Sequence, residues 1–378
     1  MSRSSANKYV VRIIFAQQEM QMKKVMLATW LLTIGGFAQA QSSVTLYGRI
    51  DTGLEYMSGL TNGSGRSVSR LRAESGDWGT GMFGLKGVED IGGGTKVIFQ
   101  LEGGLNSMVG QVGSGTTIFN RWAYVGVQND TYGTLTAGRM LWISNGLWDF
   151  DPLGQTAWSS ASLVRGRNWQ ASSNNIAYQS PKWGGFDVAG QYALSNSTNW
   201  NAGGANGQGR SVGLQATYTS AFFQVRGIYD ELRNPTTGQF DDVFNYSREY
   251  FGGLNVFLGP FKLQAAYQAS QASQAPAGAP TRTQLEWGGL AWQATPAVAL
   301  IGAVYHVNAN NGGGNATIYT IAGSYNLSKR TLLNVQVATA RNSRNANFSL
   351  EANGPTSSDN PLPGHSQSGI YAGIQHAF

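Results

Sequence analysis

The feature of this sequence that most constrains its fold is an alternation of apolar and polar residues that recurs from residue 43 to the end. In the first such stretch, Val44, Leu46 and Ile50 share one face, while Tyr47 and Asp51 share the other. A period of two is typical of a β-strand with one face buried. The sequence predicts sixteen such strands. Their approximate limits are residues 43–57, 80–90, 95–106, 118–129, 134–141, 175–182, 186–195, 210–219, 222–232, 247–258, 261–271, 282–294, 297–308, 316–326, 331–342 and 368–378.

The connections between these strands are of two kinds, short turns and long polar loops, which alternate along most of the chain. The short turns are residues 90–94, 130–133, 182–185, 219–221, 259–260, 295–296 and 327–330. The long loops are residues 58–80, 140–174, 196–208, 233–246, 271–281 and 342–367. Outer-membrane barrels have an even number of strands, with short turns at one end and long loops at the other. We therefore predict an all-β fold, a 16-stranded antiparallel transmembrane β-barrel, and keep a surface adhesin or another secreted β-protein as the alternative.

The first 40 residues have the pattern of an export signal. Met22, Lys23 and Lys24 form a basic region, residues 25–37 are apolar, and Ala38-Gln39-Ala40 is a small-x-small cleavage site. We expect a secretory signal peptide at 22–40, cleaved after Ala40, an upstream extension before it, and the barrel at 41–378. The start could then be Met1 or Met22. As a membrane anchor the apolar segment is short, because about 20 apolar residues are needed to span a bilayer.

Charge and cysteine content exclude several classes of protein. Residues 1–40 contain five of the 26 basic residues and one of the 20 acidic ones, so the rest carries 21 against 19, a formal charge of +2. This balance predicts no nucleic-acid partner, which would require clustered basic residues on one face. The chain has no cysteine, which excludes disulfides and thiolate metal sites.

Signals for catalysis and cofactor binding are weak. The three histidines, His306, His365 and His376, stand in no nucleophile motif such as GxSxG, so we expect no enzyme. The glycines at 79, 81 and 84 match the dinucleotide-binding pattern GxGxxG, but the chain continues as a strand and not as a helix. We expect no cofactor and no metal, although Asp149 and Asp151 keep a calcium site open as a minor alternative.

Five motifs carry a resemblance to a known family. They are VTLYGRID at 44–51, FGLKGVEDIGGGTKVIFQLEGG at 83–104, RWAYVGVQNDTYGTLTAGR at 121–139, DFDPLG at 149–154, and the terminal His-x-Phe. Together and in this order, they resemble the general porins of Gram-negative outer membranes. The resemblance implies a homotrimer of barrels, each with its third external loop folded inward. It also implies a water-filled channel for passive diffusion of ions and small hydrophilic solutes.

The same resemblance implies the surroundings and the assembly route of the protein. The barrel would lie in the cell outer membrane, in contact with its lipid and lipopolysaccharide. In such porins, a terminal phenylalanine, here Phe378, helps to direct the chain to the barrel assembly machinery.

The long loop at 140–174 takes the place of the inward-folded loop, and it is the candidate pore constriction. In such porins, acidic loop residues face arginines on the barrel wall. Here Asp149 and Asp151 are the loop acids, whereas Met82 and Leu153 stand where relatives carry an arginine and an acid. The basic wall candidates are Arg49, Arg121, Arg139, Arg165 and Arg167, with Arg165 or Arg167 matching one wall site.

This surplus of base predicts a modest preference for anions, because fixed charge in a narrow pore raises the local concentration of the opposite ion. A substrate-specific channel with a saturable binding site stays open as the alternative. The loop tryptophans 142, 148, 158 and 169 would then stack sugars, although aromatic residues in such a loop more often anchor it to the wall. Trp122 is expected on the lipid face, as is Tyr124, with Tyr178, Tyr218 and Phe378 as further residues of the interfacial girdles.

Overall fold

One antiparallel sheet closes on itself, because its first and last strands pair along Arg49–Ser58 and Ser368–Ala377. The computed structural model describes residues 43–378 without 63, 114–116, 168 and 195–208, so the expected signal peptide and its cleavage site lie outside the described residues. The strands are β1 (Ser43–Thr61), β2 (Ser67–Glu74), β3 (Met82–Gly92), β4 (Thr95–Asn106), β5 (Gln111–Val112), β6 (Trp122–Asn129), β7 (Gly133–Leu141), β8 (Ala171–Gln179), β9 (Phe186–Ala193), β10 (Ser211–Thr219), β11 (Phe223–Leu232), β12 (Arg248–Leu258), β13 (Phe261–Gln271), β14 (Arg282–Gln293), β15 (Val298–Ala309), β16 (Gly314–Asn326), β17 (Thr331–Asn342) and β18 (Gln367–Ala377).

The barrel wall has sixteen strand positions. β2 pairs with residues 53–61 of β1, and β3 pairs with residues 43–49 of β1. The two strands therefore share one position in the wall, which is interrupted at residues 75–81. β5 is a two-residue strand that pairs only with the end of β4, outside the closed ring. The predicted closed barrel of sixteen antiparallel strands is therefore confirmed.

The region from 58 to 80 was wrongly predicted to be a single long loop. β1 continues to Thr61, and β2 returns along it as a hairpin. The inward positions of β2 are Arg70, Arg72 and Glu74, which made the segment look like a polar loop. These residues face a buried Glu55 on β1, and Arg72 Nε lies 2.9 Å from its carboxylate. In β2, charged residues on the inner face therefore alternate with the apolar residues Leu71 and Ala73 on the outer face.

The two faces of the wall follow the alternation in the sequence. On β1, Val44, Leu46 and Leu54 are 61 to 65% exposed on the outer face, whereas Asp51 and Glu55 are fully buried on the inner face. In a membrane barrel the outer face contacts lipid, and the backbone groups are satisfied within the sheet. The exposed apolar side chains are therefore on the face that lipid would cover.

One expected facing was wrong, that of Trp122 and Tyr124. The Tyr124 hydroxyl donates to Gln100 Oε1 at 3.0 Å on the inner face, and the Trp122 ring packs edge-on against Tyr124 at 5.6 Å. Val125 and Val127 take the exposed positions of this strand. The alternation of β6 was correct in period but shifted by one residue, because small and aromatic residues do not by themselves define a face. Tyr178, Tyr218 and Phe378 are exposed.

Helical structure is limited to two short 3₁₀ helices among the described residues, at Ile143–Phe150 and Ser160–Leu163, both in the connection between β7 and β8. In the same part of the chain, no helix has the length and apolar character needed to cross a membrane.

Replacing Ile374 with arginine tests the outer face of β18. Ile374 is 41% exposed on that face, between Leu333 on β17 and Thr52 on β1. We expect Ile374→Arg to destabilise the folded barrel by about 2 to 4 kcal/mol, since a cation on the lipid face near mid-depth is poorly solvated. The measurement is the denaturant midpoint of protein folded in lipid bilayers, with Ile374→Val as control. A midpoint equal to that of the control would contradict the assignment of this face.

Candidate functional site: the loop and the charged wall inside the barrel

The connection between β7 and β8 packs on the buried face of the opposite strands. The indole of Trp287 donates to Phe150 O at 2.9 Å, and the Thr320 hydroxyl donates to Trp158 O at 2.7 Å. Both wall residues are on the inner face, since the residues that alternate with them on the same strands are exposed. The loop thus contacts the barrel from the inner side.

An apolar cluster holds this loop in place. Phe150 and Trp158 are fully buried, and they pack with aromatic residues from β12 to β18. Two wall glycines make room for them: a Cβ at Gly369 would lie 2.8 Å from the Trp158 ring, and one at Gly253 would lie 2.7 Å from the Phe150 ring. Packing rings against glycine lets a large side chain approach the backbone closely. Among the loop tryptophans, Trp142 is also buried and donates to Asp230 at 3.2 Å.

Asp151 was expected to face the pore, but the structure buries it. Its carboxylate accepts hydrogen bonds from the hydroxyls of Ser160 at 2.5 Å and Tyr305 at 2.7 Å, and from Leu153 N at 2.8 Å. Burial raises the pKa of Asp151, and these hydrogen bonds act in the opposite direction by stabilising the carboxylate. The residue therefore joins the loop to β15 and leaves Asp149 as the exposed acid of the pair.

Asp149 is exposed and meets two basic wall residues that the sequence analysis missed. Its carboxylate lies 2.6 Å from Arg226 Nη1 on β11, and its backbone carbonyl accepts from Lys262 Nζ on β13 at 3.1 Å. Asp149 and Lys262 line a cavity of about 540 Å³ on this side of the loop. The alternation of β11 and β13 could have revealed both cations, because each stands between exposed neighbours.

Three of the predicted wall arginines lie together on the other side of the loop. Arg49, Arg121 and Arg139 line one cavity of about 930 Å³. Arg121 Nε lies 2.6 Å from Glu102 Oε1, whereas Arg49 donates to Thr80 O at 3.0 Å and Arg139 donates to Asn120 O at 2.7 Å. The hydrogen bonds hold the guanidinium groups against the wall without neutralising Arg49 or Arg139. Met82 and Leu153 line the same cavity.

Arg165 and Arg167 were wrongly expected at the pore wall. Arg167 is 2% exposed and forms ion pairs with Asp230 at 2.5 Å and Glu249 at 3.3 Å. Arg165 is 7% exposed, and its guanidinium stacks 3.8 Å from the centre of the Phe348 ring. Burial lowers the pKa of Arg165 to about 10, which still leaves it charged at neutral pH. Both cations hold the loop in place from within the protein.

Acidic residues that the sequence analysis did not place also line the larger cavity. They are Glu74, Asp77 and Glu351. They were missed because residues 58–80 and 342–367 were predicted to be external loops. The alternation of β2 could have shown that Glu74 faces inward. Asp77 and Glu351 lie outside the strands, and no local pattern shows that packing brings them inward.

A profile of the Gram-negative porin family matches residues 27–345, most of the chain. The chain belongs to the Gram-negative porin family. A relative in Bordetella pertussis, an outer membrane porin protein, is 31% identical over 65% of this chain and 69% of its own length. Outer membrane porin protein 32 of Delftia acidovorans is 28% identical over 94% of this chain and all of its own length.

The fold of this porin also matches a solved structure. An anion-selective porin from Comamonas acidovorans superimposes with a TM-score of 0.76 at 24% identity, covering 89% of this chain and 100% of the other. The family profile and the outer membrane porins that match its sequence identify this protein as an outer-membrane protein that forms a channel, as the resemblance in its sequence indicated.

Replacing Asp151 with asparagine tests the buried anchor of the porin loop. We expect Asp151→Asn to lower the free energy of unfolding by about 2 to 5 kcal/mol. The new NH₂ group replaces one carboxylate oxygen, so the buried donors that bonded to that oxygen lose their acceptor. The measurement is the denaturant midpoint in detergent micelles. Asp149→Asn is the matched control, since that carboxylate is about half exposed and its ion pair is expected to contribute at most about 1 kcal/mol. Equal midpoints for the two variants would argue against the buried role.

Proposed function

We propose that this porin is a water-filled channel for passive diffusion of ions and small hydrophilic solutes, with a modest preference for anions. The observation that carries this proposal is the grouping of Arg49, Arg121 and Arg139 around one cavity inside the barrel. In a narrow aqueous passage with walls of low dielectric constant, such fixed charge raises the local anion concentration.

The pairing of these arginines supports the sign of the preference. Arg121 is balanced by Glu102 at 2.6 Å. Within the described part of the chain, no ion pair is found for Arg49 or Arg139. Their charges are therefore available to solutes that enter the cavity. The anion-selective porin from Comamonas acidovorans has the same fold, which is consistent with this proposal.

The loop between β7 and β8 is proposed as the constriction of the channel. Its contacts with Trp287, Tyr305 and Thr320 keep it on the inner side of the wall. The two cavities meet at Trp148 and Gly154, which line both of them. A solute would pass the three arginines on one side of the loop and Asp149, Arg226 and Lys262 on the other. Asp149 on the loop and these cations on the wall would create an electric field across the channel.

A trimer in the outer membrane and a terminal assembly signal complete the proposal. Phe378 is 41% exposed, and its backbone N and O both bond to Gly48 on β1, at 3.1 and 3.2 Å. The ring is thus held at the closing seam of the barrel, where the assembly machinery would recognise it. Lipid and lipopolysaccharide are the proposed contacts of the outer apolar face.

A substrate-specific channel is the second candidate, and one observation favours it. Trp78, Trp148 and Trp169 line the cavity that contains the arginines, so the site offers both stacking surfaces and positive charge. A diffusion channel should conduct in proportion to solute concentration, whereas a specific channel should saturate and be blocked by its own solute.

Removing one unpaired wall charge tests the anion preference. We expect Arg139→Gln to shift the reversal potential in a KCl gradient toward cation preference, because it deletes a charge that no carboxylate of the described residues balances. The control is Arg282→Gln, which makes the same change of charge at an exposed position of β14. Cation preference of the unmodified porin, or equal reversal potentials for the two variants, would contradict the proposal.

A further inference from the structure

A cluster of three carboxylates lies at the edge of the larger cavity, and the proposed function gives it no role. Glu55 comes from β1, Asp77 from the segment between β2 and β3, and Glu351 from the loop between β17 and β18. One oxygen from each lies within 4.8 Å of the others. Three different segments thus place acidic groups at one point.

The cationic residues nearby do not balance these acids. Arg72 lies 2.9 Å from Glu55, 2.5 Å from Glu74 and 3.4 Å from Glu351, so one guanidinium is shared among three carboxylates. Arg70 lies 3.3 Å from Glu55 and 2.7 Å from Asp359. With Asp77, five carboxylates face two guanidiniums, which leaves a formal excess of three negative charges.

Asp77 provides an independent sign of a binding site. It is 4% exposed, and its Oδ2 is buried without a hydrogen-bond partner. No ion pair to Asp77 is present among the residues that the structure describes. A buried carboxylate oxygen without a donor or a cation is costly, so such groups normally pair or coordinate a metal.

We propose that Glu55, Asp77 and Glu351 form a binding site for a divalent cation of the calcium type. Carboxylate oxygens are hard ligands, and the cluster has no histidine or cysteine, which excludes a typical zinc site. Because oxygen ligands of Ca²⁺ lie about 2.3 to 2.6 Å from the ion, three carboxylate oxygens within 4.8 Å of one another can all reach one ion. Ca²⁺ also accepts oxygen ligands in a flexible geometry, whereas Mg²⁺ demands near-ideal octahedral geometry, so a cluster drawn from three separate segments fits calcium better.

The position of the cluster beside the cavity gives a cation access to it and leaves room for water molecules to complete the coordination shell. Asp77 and Glu351 line the cavity of about 930 Å³, so an ion and its remaining water ligands can reach the carboxylates. The bound ion would connect the loop between β17 and β18 to β1. It acts as an added tie between that loop and the wall.

A bound cation would also change the charge that solutes meet in the cavity. This effect on ion selectivity rests on the proposed function as an anion-preferring channel. Asp77 and Glu351 share their cavity with Arg49, Arg121 and Arg139. A divalent ion on the acids offsets their charge and leaves the arginines dominant. Anion preference therefore rises when the site is filled.

Terbium luminescence tests the binding site directly. The indole Nε1 of Trp158 lies 3.3 Å from Glu351 Oε1, and Trp78 adjoins Asp77, so Tb³⁺ in the site would be sensitised by tryptophan excitation. We expect the folded porin in detergent to give Tb³⁺ emission that Ca²⁺ displaces at about 1 mM or below, the affinity range of extracellular calcium sites.

The variants Asp77→Asn and Glu351→Gln should each weaken Tb³⁺ binding by about tenfold or more, because each removes a charged ligand. Glu286→Gln, at an exposed position of β14, is the control and should bind Tb³⁺ as the unmodified porin does. Heat-modifiable migration on gels verifies that each variant is folded. Emission that Ca²⁺ does not displace, or equal affinities in all four proteins, would overturn the site.

Ion selectivity gives a second readout, with a different pattern of failure. Adding Ca²⁺ should shift the reversal potential of the unmodified porin toward anions, and Asp77→Asn should lose this shift. Equal shifts in both proteins would overturn the link between the site and the pore. If the calcium-free porin prefers cations while Tb³⁺ binding persists in the pattern above, the proposed function fails and the cation site stands.

Discussion

Pairing of β1 with β18 is the interaction on which the rest of the structure depends. It closes the sheet and removes its free edges, so that the wall satisfies its own backbone hydrogen bonds. Once the wall is closed, alternate residues face either the surroundings or the inside. Exposed apolar residues such as Leu54 and Ile374 then occupy the outer face, while charged residues such as Asp51 and Glu55 are brought inside.

The inside of the barrel combines an apolar core with buried ion pairs. Phe150 and Trp158 pack the loop against the wall, and Arg167 adds a pairing with Asp230 and Glu249. A buried charge pair costs desolvation energy, and removing one partner commonly costs more because the other charge is left unpaired. These contacts position the loop and leave the three cavity arginines on one side of it.

Much of the fold could be predicted from the sequence because its signals are local. The alternation showed sixteen strands, and the turn signals showed where most of them end. The candidate site was only partly predictable: Arg49, Arg121 and Arg139 do share a cavity, whereas Arg165 and Arg167 are buried. Arg226 and Lys262 were overlooked on alternating strands. The acids of residues 74, 77 and 351 were hidden because their segments were interpreted as outer loops.

By itself, the sequence determined the period, the number of strand positions in the wall and the outer face of most strands, since each depends on neighbouring residues and on the geometry of a pleated strand. Only the tertiary structure decided which charges meet solutes. That outcome depends on contacts between residues far apart in the chain, such as Asp151 with Tyr305 and Arg72 with Glu351. Burial and pairing determine whether a charge is exposed, and neither is a property of the residue or of its neighbours in the sequence.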